Sequence, residues 1–305
     1  MNVLITGGAG YIGNTLCEIL LKDKRVNKVV VYDNLSRKNY NLLIGKTYVN
    51  HEKLRFVNED ILNSRTLKPF LEDADLVYHL AAKVTTPYAS EDAHVYEQVN
   101  HWGTAELVYA LEKMPLTYLV YLSSLSVYGS TEDKVTEQSM INPKSFYGIS
   151  KKRGEDHVMR LVKKNQASII RSGNVYGYND SVRFDAVINR FMIKANFEEK
   201  LTINGDGNQY RSFISVENLS KAMLYYLNEN PESGTYNLAD KNLSINDVYK
   251  VIKEIYPNVE TIYINQHMQL QHIKTDLNLA FNKLQQVDST DLKEDLLEFK
   301  KNFAF

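Results

Sequence analysis

From Val3 to Arg171 the chain switches repeatedly between two hydrophobic periods. Short runs at Val3–Thr6, Lys28–Asp33, Leu54–Val57, Leu76–Leu80, Tyr118–Ser123 and Ser168–Arg171 are rich in β-branched and apolar residues nearly throughout. Between them lie longer stretches with helical spacing, among them Ile12–Leu21 and Val95–Glu112. A strand covered on one face alternates apolar with polar residues, whereas a strand covered on both faces stays apolar. These runs are of the second kind, so strands and helices in alternation predict a parallel sheet with helices on both sides, a doubly wound α/β fold.

After Arg171 the pattern loosens. Gly and Asn turns interrupt it at Asn204–Asn208 and Ser233–Gly234, which predicts a smaller, mixed lobe over 172–305 following a first domain over 1–171. Arg211–Val216 is again a buried-strand pattern, so the two parts are expected to interleave, with the first domain receiving about 211–230. The Lys- and Glu-rich stretch after Asp288 predicts a solvated amphipathic helix.

Composition narrows the partners. The chain has 305 residues, 44% apolar and 24% charged, enough for two ordinary domains with packed cores. Its 36 Lys and Arg nearly balance 37 Asp and Glu, without a block of like charges, so neither nucleic acid nor an anionic membrane is an expected partner. An anionic ligand must then be met by a few placed groups. No stretch approaches the roughly 18–20 apolar residues of a membrane span, and no signal-peptide pattern follows Met1. The single cysteine, Cys17, precludes an intramolecular disulfide framework and a Cys-rich metal centre. No metal site is expected, and the cytoplasm is the expected compartment.

The first strand ends in Thr6-Gly7-Gly8-Ala9-Gly10-Tyr11-Ile12-Gly13 and runs into a helical pattern. Gly7 permits a tight turn, Gly10 lets backbone N–H groups approach a pyrophosphate, and Gly13 lets helix and strand pack closely. The helix N-terminus adds partial positive charge. An acidic residue, Asp33, ends the second strand at the expected distance, which makes this a dinucleotide-binding, Rossmann-type pattern. A carboxylate there accepts hydrogen bonds from ribose hydroxyls and repels a 2′-phosphate, so NAD is favoured over NADP. Arg37 and Lys38 just downstream are either loop charges or a phosphate receptor. Asp60, after the third strand, is equally suited to the adenine amino group or to capping the segment from Leu62.

Ser123-Ser124-Leu125-Ser126-Val127-Tyr128-Gly129 closes the fifth strand, and Tyr147 with Lys151 opens the next helical segment. At i and i+4 the two share a helix face, so the ammonium favours the phenolate of a tyrosine otherwise too weak as a base at neutral pH. Among 21 tyrosines one such spacing arises by chance, and alone it equally describes an amphipathic helix start with a solvated lysine. The combination is more telling. Thr6–Gly13, Asp33, His79-Leu80-Ala81-Ala82, Asn100, Ser123-Ser124, Tyr147 with Lys151, and Arg171–Gly177 occur in an order that resembles the extended short-chain dehydrogenases/reductases, specifically the nucleotide-sugar epimerase/dehydratase family.

That resemblance implies NAD as cofactor, held by Gly7, Gly10, Tyr11, Ile12, Gly13, Asp33, Asn34, Asp60, Ile61, Leu80, Ala81, Ala82, Tyr147 and Lys151. It implies Tyr147 as the base on a sugar hydroxyl, Lys151 as its partner, and Ser124 as the group that positions the reacting oxygen. Asn100 takes a structural place on the long helix, and His79 a packed strand-end place. Ser126, Asn174 and Arg211 would join Ser124 in binding a nucleotide-diphosphate sugar, Arg211 lying in the Gly205–Ile214 segment. Leu201 and Ile203 pack either on the nucleoside base or in the core.

The departures from the family pattern select the reaction. The family's 4,6-dehydratases carry an acidic pair where this chain has Leu125 and Ser126, which disfavours dehydration. Cys17 in the first helix is no candidate for 3,5-epimerisation. The family's second phosphate-binding arginine is replaced near Gln266, with His272 and Lys274 as candidate substitutes. The leading expectation is an NAD-dependent 4-epimerase of a UDP-sugar, working through a transient 4-keto sugar. The alternatives are a nucleotide-sugar dehydrogenase or ketosugar reductase and, from another class, a non-catalytic NAD-binding protein. The resemblance also implies a homodimer built from helices near Val95–Glu112 and Tyr147–Lys163.

Overall fold

The computed structural model describes residues 1–44, 47–84, 92–264, 270–277 and 290–304. In chain order the first half comprises β1 (Asn2–Thr6), α1 (Tyr11–Lys22), β2 (Lys28–Asp33), β3 (Leu54–Asn58), α2 (Ser64–Glu72) and β4 (Leu76–His79). A continuous helical run follows: α3 (Ala93–Tyr96), a π-helical turn (Glu97–Trp102) and α4 (Gly103–Leu111). Then come β5 (Tyr118–Ser124), a 3₁₀ turn at Leu125–Tyr128, the short β6 (Lys134–Val135), α5 (Phe146–Val162) and β7 (Ala167–Ser172).

The central sheet has seven strands, all parallel, in the order β11-β7-β5-β4-β1-β2-β3, where β11 is Gly234–Leu238. Sequence direction reverses between β1 and β4, the crevice where doubly wound sheets bind ligands. Side chains of β1 explain why its run is apolar throughout. Val3 and Ile5 pack on one face with Leu16, Cys17 and Leu20 of α1, while Leu4 packs on the other with Leu107 and Val108 of α4 and Leu161 of α5. Burial pushes the Cys17 thiol up to about 12, an inert core group.

The second lobe holds β8 (Asn174–Tyr176), α6 (Val187–Asn196), β9 (Leu201–Asn204), β10 (Tyr210–Ser215), α7 (Val216–Met223), β12 (Lys241–Ser244), α8 (Ile245–Ile255), β13 (Thr261–Ile264) and β14 (Lys274–Thr275). A C-terminal helix, Leu292–Lys300, buries Leu292, Leu296 and Phe299 against this lobe, as the amphipathic pattern predicts. Leu201 and Ile203 are core residues of the lobe.

The expectation that 211–230 enters the first domain needs correction for its strand. β10 pairs with β8 and β12 in a separate three-stranded sheet, and the strand that returns to the main sheet is β11, alongside β7. Gly234, expected in a turn, is the first residue of that strand. An apolar run records burial but not which sheet edge it meets, and that edge is set by residues far away in sequence. The following helix packs toward α1: Leu219, Ala222 and Met223 of α7 lie in the same cluster as Leu16, Cys17 and Leu20.

Candidate active site

The cofactor groove starts at the turn between β1 and α1. Gly7 has φ 72°, and a Cβ there would lie 2.6 Å from the Ala81 backbone nitrogen, so only glycine lets β1 and the end of β4 close together. Gly10 is the N-cap of α1 and offers no capping side chain, which leaves first-turn N–H groups for an anionic ligand. Within van der Waals range a Cβ on Gly10 would meet only the Gly7 carbonyl oxygen. The residues present therefore fit a pyrophosphate. Ile12 and Leu80 flank one core cluster, Ile61 lies in the other with Ala81 packed against it, Gly13 is buried inside α1, and Ala82 is half-buried beside Ala81.

Asp33 accepts hydrogen bonds from the Ala9 N–H at 3.0 Å and the Leu35 N–H at 2.8 Å, and burial raises its carboxyl above the ordinary range. Each carboxylate oxygen keeps a further lone pair for a ribose hydroxyl. Asp60 accepts from the Leu62 N–H at 2.9 Å and from Asn34 Nδ2 at 2.7 Å. It thus holds a local turn, while Asn63 is the N-cap of α2. Arg37 lies 3.7 Å from Asp185 of the second lobe.

The second lobe is strapped across this groove. Tyr11 donates its hydroxyl to the Gly177 carbonyl at 2.6 Å, and Asn179 Nδ2 donates to the Tyr11 carbonyl and to Thr15 Oγ1, both at 2.7 Å. Burial pushes the Tyr11 phenol well above its usual range.

The chemistry-bearing side chains gather where β5 meets α5. Ser124 ends β5 and its Oγ accepts from the Ser126 N–H at 3.2 Å. Ser145 caps α5, and its first turn carries Tyr147, whose phenol lies close enough to Ser124 to be influenced by it. Burial raises the Tyr147 phenol, and the Arg183 charge and the Ser124 hydroxyl pull it back down. One turn on, Lys151 is 2% exposed with its Nζ 4.4 Å from the Tyr121 ring centroid. Burial pulls its ammonium down to about 7, against the attraction of Glu155.

Two supports fix this arrangement. Asn100 sits in the π-helical turn, a frequent geometry at functional sites. Its Oδ1 accepts from the Lys83 N–H at 2.7 Å and its Nδ2 donates to the Lys83 carbonyl and to Ser150 Oγ at 3.0 Å, tying the segment after β4 to α5. His79 is fully buried between Thr6 Oγ1 (2.7 Å) and Thr104 Oγ1 (2.9 Å), and burial pulls it down to about 3, so it stays neutral.

Among the residues expected to meet the substrate, Ser126 Oγ is buried without a hydrogen-bond partner among the described residues, an orphan polar atom two residues from Ser124. Asn174 Nδ2 donates to the Ser212 carbonyl at 3.2 Å. Arg211 is half-buried and donates to Gln271 Oε1 at 3.1 Å, and Lys274 Nζ lies 4.0 Å from the Tyr210 ring centroid. His272 lies tilted against the same Tyr210 ring, with centroids 5.7 Å apart. Gln266 lies outside the described residues.

Arg183 is the residue that sequence reasoning missed. Its guanidinium is held by Asp185, Nε at 3.0 Å and Nη2 at 2.9 Å, and it also donates to the Val84 carbonyl at 3.3 Å. No spacing or composition signal ties position 183 to position 147. Glu155 was missed too, although extending the i, i+4 spacing from Tyr147 through Lys151 leads directly to it.

The model of the NAD dependent epimerase/dehydratase family matches residues 3–239. An uncharacterized UDP-glucose epimerase of Bacillus subtilis is 30% identical over 307 aligned residues, covering 97% of this chain and 96% of its own. The solved UDP-glucuronic acid 4-epimerase of Bacillus cereus, in complex with UDP-glucuronic acid and NAD, superposes with a TM-score of 0.86 at 28% identity, over 99% of this chain and 98% of that one. The UDP-N-acetylglucosamine 4-epimerase of Methanobrevibacter ruminantium, in complex with UDP-N-acetylmuramic acid, gives 0.86 at 27%, over 98% and 97%. With the phosphate loop, the parallel sheet and the β5–α5 site on one side and these likenesses on the other, the chain belongs to the NAD-dependent epimerase/dehydratase family.

Proposed function

We propose that the chain is an NAD-dependent 4-epimerase of a UDP-sugar. The observation that carries this reading is the convergence of Ser124, Tyr147 and Lys151 beside the cofactor crevice, where Leu125 and Ser126 offer no acid for expelling a hydroxyl. The chemistry NAD supplies when bound is a reversible hydride sink. Tyr147 takes the proton of the sugar hydroxyl and later returns it, a contribution of about 10²–10⁴ in rate for a placed base. Ser124 holds the reacting oxygen, Ser126 Oγ meets a sugar hydroxyl, and Lys151 supplies positive charge to the phenolate. Gly10 with the first turn of α1 holds the cofactor pyrophosphate, and Asp33 the ribose. Asn174 and Arg211 take the substrate diphosphate, with Lys274 in place of the second arginine. Support for a sugar-nucleotide substrate also comes from the UDP-sugar complexes of the structural relatives.

The test is incubation of the holoenzyme with NAD and a panel of UDP-, GDP- and dTDP-sugars, following both sugar identity and net NADH. Interconversion of C4 epimers without net NADH, abolished in Tyr147→Phe with NAD binding kept, is the expected result. Net NADH in proportion to consumed sugar would instead select the dehydrogenase reading. We further infer a cytoplasmic homodimer. The outward sides of the π-helical turn and α4 support it, with Trp102 at 53% and Tyr109 at 39% exposure, and sedimentation velocity tests it.

A further inference from the structure

Tyr147, Lys151 and Glu155 follow one another at four-residue intervals on α5, so they line one helix face. Glu155 is buried, and a buried carboxylate is tolerated only when it is paired and hydrogen-bonded. Ser123 Oγ donates to Glu155 Oε1 at 2.5 Å, and Arg171 donates Nε to Oε1 at 3.0 Å and Nη2 to Oε2 at 2.8 Å. Ser123 and Arg171 are register partners on β5 and β7, so two adjacent strands grip one carboxylate. Arg171 Nη1 also donates to the Tyr128 hydroxyl at 2.7 Å, which donates to Asn237 Oδ1 at 2.8 Å.

A buried ion pair of this kind adds little stability over apolar residues of the same volume, so stability alone does not account for it. Lys151 does. Burial disfavours its ammonium, and Glu155 is the group whose charge opposes that burial. The other titratable groups packed around the pair do not substitute for it. His79 on β4 is held neutral, Tyr121 on β5 is held as a phenol, and the Arg183 charge acts on Tyr147. Gly154 brings this helix face close to β5, since a Cβ there would lie 2.4 Å from the Tyr121 hydroxyl.

We propose that Glu155 is a positioning residue for catalysis: gripped by Ser123 and Arg171 one turn beyond Lys151, it holds Lys151 as a cation in the service of Tyr147. The inference rests on the reading of Tyr147 as the base, yet its test needs no sugar. The Tyr147 phenolate is followed by ultraviolet difference titration of the NAD holoenzyme, each protein against its own Tyr147→Phe counterpart. Glu155→Gln moves the phenolate midpoint upward by about one pH unit, because positive charge on Lys151 beside the phenolate is then held less strongly, and lowers kcat by about tenfold.

That single change also leaves Arg171 buried without its partner, so Glu155→Gln/Arg171→Met removes both charges together. In this folded, NAD-binding double variant the midpoint stays displaced upward. A wild-type midpoint in either folded variant overturns the proposal and leaves the pair a scaffold. Failure of the base assignment is a separate result, turnover surviving in Tyr147→Phe.

Discussion

Among the described residues, each half of the molecule buries a cluster of charges, and the two are built differently. Beneath α5, Glu155 receives three donors and Arg171 meets both the carboxylate and Tyr128, with bonds of 2.5–3.0 Å. In the second lobe, Lys241 lies 3.4 Å from Asp240 and 3.7 Å from Asp295 of the C-terminal helix. Asp240 Oδ1 and Lys241 Nζ there have no well-aligned hydrogen bond among the described residues. A satisfied network fixes one geometry, whereas a loose one tolerates several, because the energy of a buried pair depends steeply on alignment. The tight cluster stands beneath the helix that carries Tyr147 and Lys151, and the loose one where a terminal helix docks.

Substitutions can break this comparison or sharpen it. The largest effect is expected from Arg171→Met, which strands the Glu155 carboxylate among β5, β7 and α5 and costs about 3–5 kcal/mol in urea unfolding. A loss no greater than that of a surface substitution would remove the distinction between the clusters. Lys241→Met comes next, at about 1–2 kcal/mol or less, since the ammonium it removes is poorly paired and its stem is replaced. NAD affinity and kcat should be unchanged, which a fluorescence titration and a progress curve will show.

The smallest effect concerns pH. Burial raises the Asp240 carboxyl above its ordinary value, so the folded state holds that proton more tightly than the unfolded chain does. Stability from this group is then lost as pH rises from the unfolded value near 4, about 3.9 for Asp, through the folded one. Asp240→Asn removes that slope, a change below about 1 kcal/mol, visible only as a flatter dependence of the urea midpoint on pH.

Most of the first half was legible because its signals are local. The apolar runs of β1, β2, β4, β5 and β7 state burial on both faces, and the Gly7–Gly13 turn states close backbone approach. Tyr147 and Lys151 announce a shared face by spacing alone. The second lobe was less legible. β10 has the composition of a main-sheet strand yet pairs with β8 and β12. In the first half one residue was equally open: Asp60, placed between two uses, holds Leu62 and Asn34.

The sequence by itself determined the doubly wound α/β class, the phosphate turn and the one-face line of Tyr147 and Lys151, since each follows from residues a few positions apart. Only the tertiary structure decided that the Arg183 charge acts on Tyr147, that Tyr11 reaches across to Gly177, and that Ser123 and Arg171 close on Glu155. Those contacts join elements separated by long stretches of chain, and they arise when the sheet order and the docking of the second lobe fix which side chains meet.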